Sequence, residues 1–448
     1  MTPLQSRVLT ATIIGSGMAF ADGSIVTVAI PKMRAALPAS LAEMQWVANG
    51  YTLVLSAFLL LGGAAGDRYG LRRVYALGIA LFAMASAACA LSANPTALIL
   101  ARAAQGFGAA LMVPGSLALI AAHFPTEARG RAIGVWAAAT SIAAAIGPLL
   151  GGWLIDHAPW QSIFLINLPF AALGLWIVIR GVTDLPTEGS AGMDWIGALL
   201  AVVGLGGVAL SLTLLGEANA GGRQMAIASG AVGLAALAGF VVWESRAPAP
   251  MLPLRFFRDR RANGVNILTL LLYFALSGAI FFLPSALIQR DGWTAASAGS
   301  IFIGFTVMLA ILSRFGGAIA DRFGVRIPLT VGPAITAASF AALAPAVVAG
   351  DFWMAIAPAM LLMGVGMGIT VAPLSTAVMA SAPTGQTGVA SAINNAVARV
   401  AGLFAVASLG AVVGEGFDGF SALALICAAA AAVSAVVGFA TLGGAQSE

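Results

Sequence analysis

Fourteen apolar runs, each long enough to cross a lipid bilayer, follow one another along nearly the whole chain. They fall at 8–30, 44–65, 74–93, 97–121, 132–154, 162–180, 194–215, 224–243, 263–289, 297–319, 327–349, 352–378, 387–411 and 418–441. Apolar residues are continuous within each run rather than alternating, so helices are expected and a transmembrane barrel is not. Charge is scarce to match. Only 8% of the 448 residues are charged, where a water-soluble domain carries roughly a quarter. So little charge cannot cover a soluble fold, and lipid is the solvent expected for most of this surface. The first run, behind Arg7, is too long for the core of a signal peptide and reads as the first span.

The cations report topology. Twenty arginines and one lysine, Lys32, lie in short clusters between the runs, with no basic stripe or aromatic platform for nucleic acid. With the N-terminus inside, 15 of them fall on the cytoplasmic side and 4 outside, while Arg102 and Arg399 lie within spans. That bias predicts a multi-pass protein of the cytoplasmic (inner) membrane with both termini cytoplasmic. Cys89 and Cys427 sit singly in apolar runs, and His123 and His157 lie far apart in loops. No disulfide framework, metal site or cofactor is expected from them. The chain has no Gly-Lys-Ser/Thr nucleotide loop, and two isolated histidines argue against an enzyme.

The chain repeats itself. Gly63-Ala-Ala-Gly-Asp67-Arg68-Tyr-Gly70-Leu-Arg72 recurs 254 residues later as Gly317-Ala-Ile-Ala-Asp321-Arg322-Phe-Gly324-Val-Arg326, and Pro125-Thr126 recurs 258 later as Pro383-Thr384. Two six-helix halves alone would give an offset of about 190 at span-plus-loop lengths. The surplus of about 60 is the length of two further spans. The expected division is a six-helix bundle at 1–185, two inserted helices at 186–245 and a second six-helix bundle at 246–448.

Of the 17 acidic residues, 16 fall in loops, at span ends or at the terminus, and only Asp22 lies well inside a span. A proton carrier within the membrane needs such a group. At helical rise Asp22 sits about 12 Å below the outer face, and Arg102 about 8 Å below it on the fourth span. The two form either a proton-coupling pair, with Arg102 tuning the affinity of Asp22, or a permanently ionised lock between two helices. Asn395 and Arg399 share a face of the thirteenth span, beside Asn394. These three are candidates for a substrate cavity, where Arg399 binds an anionic group or pairs with polar backbone. The repeated loop offers Asp67, Arg68, Gly70 and Arg72, with Asp321, Arg322 and Gly324, as gate elements or as simple topology signals. Gly147, Pro148, Gly151 and Gly152 mark a kink and a close-packing face. Met112, Pro114, Phe281, Phe282, Met363 and Met367 line a promiscuous cavity or belong to the core.

Several of these stretches resemble one family. The repeated loop resembles the signature between helices two and three of the major facilitator superfamily. Arg102-Ala-Ala-Gln105-Gly106-Phe-Gly108-Ala-Ala110 is similar to its fourth-helix motif, and Gly147-Pro148-Leu-Leu-Gly151-Gly152, after Gly134, to the fifth-helix motif associated with antiporters. Asp22-Gly-Ser-Ile-Val-Thr-Val-Ala-Ile-Pro31, Gln45-Trp46-Val47 and Ile163-Phe-Leu-Ile-Asn167-Leu-Pro169 resemble stretches of the fourteen-helix drug:proton antiporters. Ala65, Leu71, Ala143 and Thr27 depart from those patterns, and Thr27 bears on substrate preference. The resemblance implies two pseudo-symmetric six-helix bundles plus two inserted helices, and proton-coupled export of drug-like molecules by alternating access, with multidrug efflux and antibiotic resistance as the outcome. A facilitator or importer of a metabolite with the same fold is the alternative. The expected partners are a small-molecule substrate, protons and the lipid bilayer, with a monomer as the working unit. Substrate charge stays open: one buried acid suits a monovalent cation, and two buried arginines suit anions or zwitterions.

Overall fold

The structure, a computed structural model, describes residues 1–183, 192–216, 220–382, 387–414 and 417–442. Among the described residues there is no strand. The helices are α1 (Pro3–Ala36), α2 (Leu41–Tyr69), α3 (Leu71–Ala90), α4 (Pro95–His123), α5 (Thr126–His157), α6 (Ser162–Leu165), α7 (Asn167–Gly181), α8 (Trp195–Leu214) and α9 (Ala220–Glu244). They continue with α10 (Arg260–Asp291), α11 (Ala295–Phe323), α12 (Pro328–Ala349), α13 (Ala357–Ala380), α14 (Thr387–Val413) and α15 (Phe420–Thr441). Fourteen stretches of these helices have the length and apolarity to cross a membrane.

Two spans differ in detail from the sequence reading. The sixth is broken at Ile166 into α6 and α7, and the twelfth opens with a π-turn at Phe352–Ile356 before α13. Several helices run past their apolar runs because polar residues cap them. Thr2 with Gln5 and Ser40 with Glu43 form capping boxes on α1 and α2, which satisfy N–H groups that would otherwise lack partners. Asp259 accepts from the N–H groups of Arg261 and Ala262 at the head of α10. Large apolar residues such as Met84, Trp176, Leu199, Leu234 and Val436 stand exposed, which suits lipid rather than water as the surrounding solvent.

The chain divides into two compact units. The first comprises Met1–Leu214, Ala220–Met251 and Thr294–Gly299, and the second chiefly Leu252–Trp293 and Ser300–Glu448. In the first, α1 packs on α5 and α7, and α3 on α4 and α7; in the second, α10 packs on α14 and α15, and α12 on α13 and α15. The same pairing scheme thus occurs twice, as the sequence repeat requires. α8 and α9 form a hairpin, with α8 lying on α2 in the first unit. Gly204, Gly207 and Gly233 bring the two hairpin helices into backbone contact. Asp194 ties its open end, its Oδ1 accepting from the Gly197 N–H and from Trp243 Nε1, both at 2.7 Å.

Both copies of the repeated loop turn at a glycine of positive φ. Gly70 has φ 99° and Gly324 φ 71°, a region that side chains with a Cβ adopt only at a cost. The arginine two residues on does the same work twice. Arg72 donates to the Val178 and Ile179 carbonyls at the end of α7, and Arg326 donates to the Phe439 carbonyl at the end of α15. Each satisfies helix-terminal carbonyls and places a cation at the negative end of a helix.

Candidate functional site

The site rests on a close approach of α2 and α4. Gly106 on α4 faces the Tyr51 carbonyl of α2 with no room for a Cβ, and Gly62 on α2 meets Ala110 in the same way. Such contacts let two backbones touch, and any side chain there would part them. One turn before Gly106 stands Arg102, and one turn before Tyr51 stands Val47. The registers coincide, so Arg102 Nε donates to the Val47 carbonyl at 3.1 Å. On the other side of α1, Gly147 lies against Ala21 and Ser24, and Gly151 against Ile25. Ser24 Oγ donates to the Ala144 carbonyl of α5 at 2.8 Å. The glycines of the fifth helix therefore hold the segment of α1 that carries Asp22.

Asp22 and Arg102 meet directly, and each is only 1% exposed. Arg102 NH1 donates to Asp22 Oδ2 and also to Gln105 Oε1. The guanidinium lies 4.4 Å from the Tyr51 ring centroid and 5.8 Å from that of Phe164. Asp22 Oδ1 accepts from Gln105 Nε2 and from Asn167 Nδ2, both at 2.9 Å. The same two amide nitrogens donate at 2.9 Å to Ser86 Oγ. Cys89 Sγ lies 3.7 Å from Gln105 Oε1. Side chains from α1, α3, α4 and α7 and a carbonyl from α2 thus converge on one buried carboxylate and its cation. Removing two such charges from water costs several kcal/mol per ion, which only good geometry and further hydrogen bonds offset. Here the carboxylate has three donors, and the guanidinium has two acceptors besides it.

The other candidates are placed as follows. Asn394 Nδ2 donates to Asn266 Oδ1 at 3.1 Å and to Thr269 Oγ1 at 2.8 Å, which fastens α14 to α10 within the second unit. Asn395 is exposed and donates to the Ser391 carbonyl of its own helix, and Arg399 is half-buried. Asp67 and Arg68 are exposed at the end of α2, and Arg322 is exposed at the end of α11. The Asp321 side chain lies outside the described residues. Gly152 packs on Ala295, whose N–H, with that of Ala296, donates to Asp156 within the first unit. Met112, Phe281, Phe282, Met363 and Met367 are all buried in packing. Asp194 and Glu244, which the sequence places at span ends, are buried at the open end of the α8–α9 hairpin. Among the described residues no cluster of His, Cys, Asp and Glu could hold a metal ion.

Gln105 and Asn167, with Ser86 bridging them, are the partners of Asp22 that its depth in the membrane does not reveal. The available signal was polarity: two amides inside apolar spans are costly unless satisfied by neighbours. Nothing in spacing tells which of them faces Asp22.

Fourteen membrane-length helices, two units with one packing scheme and an ion pair sealed inside a bundle mark a polytopic membrane protein. The chain matches the Major Facilitator Superfamily over residues 12–406 and again over 265–445, and it belongs to that family. It is 36% identical over 409 residues to the methylenomycin A resistance protein of Bacillus subtilis, covering 91% of this chain and 87% of that one. It is 33% identical to the tetracenomycin C resistance and export protein of Streptomyces glaucescens, covering 90% and 74%. The fold is shared with the inward-open xylose transporter XylE from E. coli, with a TM-score of 0.70 at 14% identity over 99% of this chain and 98% of that one.

Proposed function

We propose that this protein exports small, antibiotic-like molecules across the cytoplasmic membrane in exchange for protons. Asp22 carries the reading. It is a carboxylate sealed inside a membrane helix, where an acid is costly and serves most often as a proton or substrate relay. The direction of transport is supported by the resistance and export proteins that the chain resembles over nine-tenths of its length. In this reading Asp22 takes a proton from outside and yields it inside, and Arg102 sets how tightly it is held. Both termini are cytoplasmic, and the chain works as a 1–185 bundle, a 186–245 insert and a 246–448 bundle. Opposite gate states are sensed by Asp67, Arg68 and Asp321 in the repeated loops, and Arg399 faces the substrate path.

The test uses the purified chain in proteoliposomes under an imposed pH gradient, screened against cationic, neutral and anionic antibiotics. At least one compound should accumulate against its gradient, and a protonophore should abolish the accumulation. Movement of every compound at the same rate with and without the pH gradient would favour a facilitator.

A further inference from the structure

The two oxygens of Asp22 are not equivalent. Oδ1 belongs to a closed ring with Gln105 Nε2, Ser86 Oγ and Asn167 Nδ2, every link 2.9 Å. Each amide nitrogen has two hydrogens, and each spends one on Asp22 and one on Ser86. Oδ1 therefore has two donors pointing at it and no vacancy for a third. Oδ2 has one donor, Arg102 NH1, and that same nitrogen also donates to Gln105 Oε1.

We propose that Asn167 is a positioning residue for the proton site: it closes Asp22 Oδ1 and ties α7 and α3 to it, so that the proton binds at Oδ2 in place of Arg102. This inference rests on the proton-coupled reading of Asp22. Proton uptake then has a defined balance. A hydronium ion loses one O–H bond and leaves as water, one O–H bond forms at Oδ2, the Arg102–Oδ2 hydrogen bond breaks, and the ring at Oδ1 stays closed. The displaced guanidinium is not orphaned, because the Val47 carbonyl, Gln105 Oε1 and the Tyr51 ring still hold it. The cation stays fixed while the anion is switched off.

The ionisable groups around Asp22 are few. Arg102 comes from α4, Tyr51 from α2 and Cys89 from α3. On α5 and α7 the described ionisable side chains, Arg129, Arg131, Asp156, His157 and Arg180, are at the helix ends. A pH response at Asp22 therefore reports the ring and Arg102.

The test is infrared difference spectroscopy of the purified full chain across pH. A carboxylic-acid band that is absent from Asp22→Asn identifies the group. Asn167→Ala removes one of the two donors at Oδ1, which is the carbonyl oxygen once Oδ2 is protonated, so the carboxylic-acid C=O band of Asp22 should shift to higher frequency. Asn167→Ser, which keeps a short donor, should recover part of that shift, and Asn394→Ala, which removes an amide clamp in the other unit, should leave it unmoved. An unshifted band in a folded Asn167→Ala protein would overturn the role of Asn167 while leaving proton binding at Asp22 intact. Absence of any titrating Asp22 band in the wild type would overturn the proton-coupled reading, and this inference with it.

Discussion

Replacing Arg102 with methionine isolates the charge at the centre of the first unit. Methionine keeps much of the stem's volume, so a cavity is not the main thing measured. What is lost is the donor to Asp22 Oδ2, the donor to Gln105 Oε1 and the bond to the Val47 carbonyl, all inside the bundle. Opposite charges about 4 Å apart attract by about 4 kcal/mol at an effective dielectric constant of 20. Breaking a buried pair by removing one partner typically costs about 3–5 kcal/mol, because the other charge stays buried alone. Arg102→Met should therefore destabilise the folded chain by about 4 kcal/mol. Asp22→Asn should cost less, about 2 kcal/mol, since the guanidinium keeps its carbonyl and amide acceptors. Once Asp22 is already asparagine, adding Arg102→Met should cost only about 1–2 kcal/mol. The difference is a coupling energy of about 2–3 kcal/mol, which a double-mutant cycle reads by denaturant unfolding in detergent micelles. An Arg102→Met cost that is the same in both backgrounds would refute the account of the site as a coupled pair.

Other consequences follow from the same geometry. Gly106→Val should force α2 and α4 apart at Tyr51, destabilising the chain by about 1–3 kcal/mol and pulling Arg102 off Val47, which denaturant unfolding in detergent micelles reads. Arg72→Ala and Arg326→Ala should each fray the last turn of a helix, at about 1 kcal/mol, and hydrogen exchange should rise at Val178–Ile179 in the first variant and at Phe439 in the second. Gly324→Ala should cost about 1 kcal/mol through its positive φ alone, since open space surrounds it, and should unfold at correspondingly lower denaturant.

Much of this architecture was legible in the residues. Apolar length alone located all fourteen spans, because lipid demands about 20 apolar residues whatever the tertiary fold. Their edges were not legible, since Thr2, Ser40 and Asp259 extend helices through caps that carry no hydropathy signal. The break at Ile166 was hidden for the same reason: both halves are apolar. Asp22 and Arg102 could be matched by depth, but depth says nothing about rotation about the helix axis. That is why Asn167, 145 residues from Asp22 in sequence, could not be assigned to it. Rotation hides the partners of Asn394 in the same way: it reaches Asn266 and Thr269 on α10, 128 and 125 residues away in sequence.

The central claim is that Asp22 carries the coupling proton, and exchange without a gradient separates that from a structural role. With a transported compound in hand, proteoliposomes containing Asp22→Asn should still exchange labelled for unlabelled substrate at equal concentration on both sides. They should fail to concentrate it when a pH gradient is imposed, while the wild type does both. Gradient-driven accumulation by Asp22→Asn equal to the wild type would contradict the account.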